Sequence, residues 1–138
     1  MPSNVLALDV GHKRVGVALA RADVRVPVVL PTLDRQTDDF WQRLDTIIQD
    51  EAVGLIVIGL PRGLDGQETA QTESAQTFGR ELSDRSGIPI HWQDEALTSV
   101  KAEAILDAGG KPYTKAHVDG VAASLILADY LETEGARA

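Results

Sequence analysis

Two short aliphatic runs constrain this chain more than anything else in its sequence. Val5-Leu6-Ala7-Leu8 and Leu55-Ile56-Val57-Ile58 are apolar at every position rather than at every second one. A strand built from such a run must be covered on both faces, which places it inside a sheet with helices above and below. The first run ends in Asp9 and the second in Gly59-Leu60-Pro61, so each stops at a polar or chain-breaking residue.

The remaining segments fill in that plan. Gly11-His12-Lys13-Arg14 turns the chain into Val15–Ala20, a strand paired with the first. A third strand is expected over Val26–Leu30, with Pro27 and Pro31 confining it to a sheet edge. Thr37 reads as the N-cap of a helix whose first turn holds Asp38 and Asp39 and whose apolar face holds Phe40, Leu44, Ile47 and Ile48. A polar helix over Glu68–Arg85, with Phe78 and Leu82 inward, ends at Gly87. Ile88–Trp92 is the next strand and runs into Asp94-Glu95. Thr98 or Ser99 caps a short helix that stops at Gly109-Gly110, and a last helix runs over His117–Glu134. Three meandering strands followed by alternating strands and helices predict an α/β fold, a mixed sheet with helices on both faces.

At 138 residues, without repeats or a linker-like stretch, the chain reads as one domain over 1–138. It has no cysteine, which excludes disulfides, thiolate metal sites and cysteine nucleophiles. No apolar run approaches a membrane helix, and the N-terminus lacks the basic start of a signal peptide, so a cytoplasmic protein with no membrane partner is expected. There is no GxSxG elbow for a serine hydrolase and no Gly-Lys-Ser/Thr to complete a P-loop after Gly63 and Gly66. His12, His91 and His117 share no metal-ligand spacing.

Acids carry the chemistry that remains. In open α/β sheets ligands collect beyond the carboxyl ends of the strands. Asp9 and Asp94-Glu95 end two of the strands, and Asp119 lies in the last helix on the same stripe as Ala122, Ala123, Ile126 and Tyr130. A carboxylate on a packed helix face is costly unless it is paired or bound to a cation. Clustered hard oxygen ligands suit Mg²⁺ or Mn²⁺. Each acid also has a plainer role open to it: Asp9 in a turn, Glu95 as a solvated acid before a helix, Asp119 as an N-cap.

The net charge of −8 opposes binding of nucleic acid by bulk electrostatics. Any such binding needs a local patch, for which Lys13, Arg14, Arg62, Lys101, Lys111 and Lys115 are the candidates, and it needs some acids neutralised by metal.

Taken in order, LALDVGHKRVGVALA, IVIGLPRGLDG, DEALTS and KAHVDGVAASLILADYL resemble the YqgF family, the Holliday-junction-resolvase-like or pre-16S rRNA nucleases of bacteria. The resemblance spans Val5 to about Leu131. It implies a ribonuclease-H-like mixed five-stranded sheet and a nuclease that hydrolyses phosphodiesters with two Mg²⁺ or Mn²⁺ ions. The family's first-strand acid falls on Asp9, its strand-end glutamate on Glu95 and its C-terminal helix acid on Asp119, as catalytic residues and metal ligands. Asp9 would bridge both ions, and Lys13 or Arg62 would neutralise the scissile phosphate. Two departures bear on substrate affinity: Ala96 stands where the family usually has arginine, and the basic stretch before Asp119 is thin.

Processing of the 5′ end of precursor 16S ribosomal RNA is the substrate the resemblance favours. Resolution of branched DNA would need a dimer with a broad basic face, whereas a monomer or weak homodimer is expected here. Two rival classes are a non-catalytic nucleic-acid or ribosome-assembly module of the same fold, and an actin-like nucleotide binder. Three clustered carboxylates oppose the first, and a chain with room for one domain opposes the second.

Overall fold

The computed structural model describes residues 3–61 and 70–137. Five strands form one sheet in the order β3-β2-β1-β4-β5. β1 (Asn4–Val10) lies at the centre, antiparallel to β2 (Arg14–Ala20) and parallel to β4 (Val53–Pro61). β5 (Ile90–Glu95) runs parallel to β4 at one edge, and β3 (Val28–Asp34) runs antiparallel to β2 at the other.

Strand alternation sorts the core into two layers. Leu6 and Leu8 of β1, Val15 and Val17 of β2, and Ile56 and Ile58 of β4 point to one face. There they meet Leu44 and Ile48 of α1 (Phe40–Asp50) and Phe78 and Leu82 of α2 (Ala70–Ser86). Val5, Ala7, Ala18, Ala20 and Val57 point to the other face, against Ala123, Ile126 and Leu127 of α4 (Lys115–Arg137). α3 (Thr98–Ala108) buries only Ala102 and rests on α4 rather than on the sheet. The two apolar runs are covered on both faces, as their lack of alternation requires.

Four local expectations are corrected. β3 does not stop at Leu30; it continues through Pro31 to Asp34. The register slips between Val15 and Val17, setting Pro31 and Thr32 opposite Gly16, and an irregular edge position tolerates the missing amide. Asp39, not Thr37, is the N-cap of α1, and neither Asp38 nor Asp39 lies in its first turn. Thr37 instead closes a turn, its hydroxyl donating to the Asp34 carbonyl. The N-cap of α3 is Leu97, and no side chain caps it. α4 begins at Lys115, so Asp119 lies inside the helix and is not its N-cap.

Candidate active site

Asp9, Glu95 and Asp119 line one cleft of about 330 Å³, together with Gly11, Gly59, Pro61, Gln71 and the first turn of α3. Alternation explains why. Asp9 follows Val5 and Ala7 at odd positions of β1, which places it on the α4 face. On β5, His91 packs edge-on against Tyr130 of α4, with ring centroids 4.8 Å apart, so Gln93 and Glu95 share that face. Glu95 is in register with Pro61, the last residue of β4. Both strand-end acids thus look toward the helix that carries Asp119.

That helix crosses the sheet obliquely. Its Asp119 end lies over β2, Ile126 over Gly59 of β4, and Tyr130 beside β5. The close approach depends on two glycines. A Cβ on Gly16 would fall 1.9 Å from the Asp119 carbonyl oxygen, and one on Gly59 would fall 2.4 Å from Ile126 Cδ1. Gly16 is the register partner of Asp9. The lack of a side chain at Gly16 therefore brings the backbone of Asp119 down beside Asp9.

Electrostatics register the crowding. Burial, and after it the charge of Asp119, push the Asp9 carboxyl up to about 7. Burial also raises Glu95 well above the ordinary carboxylate range, helped by the neighbouring carboxyl of Asp129; the Thr98 hydroxyl and the charge of Lys101 act the other way. Thr98 donates to Glu95 Oε2 at 3.3 Å, so the residue expected as a cap holds the acid instead. Glu95 is 9% exposed, and its Oε1 has no hydrogen-bond donor. Asp119 is satisfied differently: Arg14 Nε donates to its Oδ2 at 2.7 Å.

Among the expected phosphate contacts, Arg14 is thus engaged with Asp119. Lys13 and Arg14 line a neighbouring hollow with Thr32, Asp34, Gln36 and Ala116. Lys101 lies close enough to act on Glu95, whereas Lys111 and Lys115 are exposed and do not line the cleft. Arg62 lies outside the described residues. Sequence reasoning passed over Gly16, Gln71 and Asp129, and gave Thr98 a different role. Only Gly16 carried a signal, a glycine in a strand interior, which marks a bulge or a close backbone approach.

The donor set suits a hard divalent cation: three carboxylates on one cleft, one with a buried unpartnered oxygen and one forced toward its neutral form by burial and a neighbouring charge. Among the described residues, no group of three or more acids or histidines is drawn into ligating geometry. The chain's own fold leaves Asp119 paired with Arg14.

A mixed sheet in this order, with its central acid facing a covering helix, is the ribonuclease-H-like fold of the RuvC-type resolvases. RuvC of Thermus thermophilus, solved with a Holliday junction substrate, matches over 96% of both chains at a TM-score of 0.58 and 15% identity. The yeast mitochondrial Holliday junction resolvase matches 94% of this chain and 78% of its own at a TM-score of 0.52 and 12% identity. At such identities the likeness is one of fold. The chain itself belongs to the family described as RuvX, Holliday junction resolvase, whose model matches residues 3–133. Relatives named "Putative pre-16S rRNA nuclease" include one from Chloroflexus aurantiacus, 40% identical over 93% of this chain and 86% of its own. Another, from Crocosphaera subtropica, is 39% identical over 94% and 92%. No described helix is long and apolar enough to cross a membrane.

Proposed function

We propose that this chain is a metal-dependent nuclease that trims the 5′ end of precursor 16S ribosomal RNA. The observation that carries the proposal is the sharing of one cleft by Asp9, Glu95 and Asp119 at the carboxyl ends of the strands. The names of the relatives supply the substrate.

Asp9, Glu95 and Asp119 would hold Mg²⁺ or Mn²⁺, two ions by resemblance to the family, and when bound these supply positive charge to the scissile phosphate and to its attacking and leaving oxygens. The protein's own share is positioning. β1 and β5 fix two carboxylates from below, and α4 brings the third from above, each on a rigid element. Thr98 orients Glu95 through Oε2, while Oε1 stays buried without a donor and the Asp129 carboxyl lies nearby. Arg14 neutralises Asp119 in the resting protein and, once a cation takes that role, is free to contact a backbone phosphate. Lys13 and Lys101 extend the positive rim on either side.

The test is cleavage of labelled precursor rRNA and of a four-way DNA junction side by side, with Mg²⁺, with Mn²⁺ and with chelator. Cleavage of the rRNA that needs metal and is lost in Asp9→Asn is the expected result. Cleavage confined to the junction would favour a resolvase, and no metal-dependent cleavage of either would leave a non-catalytic module.

A further inference from the structure

The cleft has a second kind of wall. Leu97 and Val100 line it beside the acids, yet they are 50% and 59% exposed. Leu97 immediately precedes α3 and Val100 lies in its first turn, and both line the same cleft wall. Leu97 also holds φ +59° and ψ +23°, a left-handed conformation costly for a bulky side chain and easy for glycine or asparagine. It occupies the N-cap position without offering a capping group. Its side chain thus neither caps the helix nor joins the core, and it sits two residues from Glu95 at the mouth of the cleft.

We propose that Leu97 and Val100 form an apolar shelf that receives the face of an unpaired nucleobase next to the phosphate held in the cleft. The inference rests on the nuclease reading and narrows its substrate to a strand whose base is free to leave the stack. The shelf is continuous with the acid-lined wall, so a phosphodiester at the acids carries its flanking bases within reach of the two side chains. Polarity selects the part that lies on the shelf: two aliphatic side chains offer a phosphate neither charge nor hydrogen bond, while a base offers a flat uncharged face. Exposed Lys101, the next residue after Val100, is placed for the following phosphate. In an intact duplex both faces of each base are covered by its neighbours, so the shelf has nothing to receive. Aliphatic side chains are used as wedges of this kind against unstacked bases.

The probe is a short single-stranded RNA carrying 2-aminopurine, compared with the same strand annealed to its complement, both in Ca²⁺ to prevent turnover. The parent protein should bind the single strand more tightly and change the 2-aminopurine fluorescence. Leu97→Asn, which suits the left-handed backbone, should melt no lower than the parent. It should nevertheless bind the single strand about fivefold more weakly, equivalent to about 1 kcal/mol, and lose the fluorescence change, with duplex binding unaltered. Val100→Ser should act in the same direction. Parent-like affinity and fluorescence in both variants would overturn the shelf while leaving the nuclease reading in place. A parent that binds neither form in Ca²⁺ would overturn the nuclease reading, and the shelf with it.

Discussion

Replacing Asp9 with asparagine tests whether this carboxylate is held at the site against its own electrostatics. In the folded protein its carboxyl titrates at about 7 rather than 3.8, first because it is buried and then because Asp119 is near. A raised carboxyl favours folding only while it is protonated. Its contribution is complete below about pH 4 and is lost progressively as the pH climbs through about 7. Between pH 5 and pH 8 the metal-free parent should lose up to about 2.7 kcal/mol from this group, the two pH units from 5 to about 7 counting at about 1.36 kcal/mol each. The asparagine does not titrate, so the variant keeps that stability, and the difference in shape between the two side chains cancels when the two pH values are compared. For a chain of this length 1 kcal/mol is worth about 3–4 °C in Tm. In chelator, the Tm of Asp9→Asn minus that of the parent should therefore rise by up to about 8–11 °C between pH 5 and pH 8. Relaxation around the charge would reduce the rise without changing its sign. Calorimetry at the two pH values reads it directly. A difference that stays constant, or that falls as the pH rises, would refute the reasoning and make Asp9 an ordinary structural carboxylate.

Gly16→Ala should destabilise the protein by about 3 kcal/mol or more, because the new methyl meets backbone at Asp119, while Gly59→Ala should cost less, since the flexible tip of Ile126 can yield; denaturant midpoints ranked the other way would contradict this. Nucleic-acid binding, measured by filter retention in Ca²⁺ and in chelator, should appear only with the divalent ion and should weaken gently with salt, by about 0.7 in log–log slope per phosphate contact. Equal retention in chelator would remove the acids from the substrate site, and alanine at both Lys13 and Lys101 should flatten the slope. Arg14→Gln should lower stability by no more than about 1 kcal/mol, the ion pair being partly open to water, but should weaken RNA binding at every sequence tested. A large loss of stability with unchanged binding would make Arg14 purely structural.

The layers of this fold were legible because alternation and its absence are local properties. Val5–Leu8 and Leu55–Ile58 announced burial on two faces, and Asp119 stood out against the alanines and isoleucine on its own helix face. What was not legible depends on partners distant in sequence. The Arg14–Asp119 pair joins residues 105 positions apart, and nothing near Arg14 distinguishes it from a phosphate ligand. Thr98 is a nearer case: Glu95 is only three residues away, but the pattern around Thr98 equally suits a cap, and the left-handed backbone of Leu97 between them has no signal in the sequence. The strand break expected at Pro31 is absent for a similar reason, since the irregular pairing opposite Gly16 that accommodates the proline is a property of two strands together.

The oblique path of α4 also sets an order of events. This one helix touches every strand of the sheet and follows all of them in the chain. While the protein is being synthesised, the strands that bear Asp9 and Glu95 emerge before the segment that bears Asp119. The trio is therefore incomplete until α4 has emerged and docked. A nascent chain accordingly has no finished acid-lined cleft, and the cleft is completed in one step with the docking of a single element.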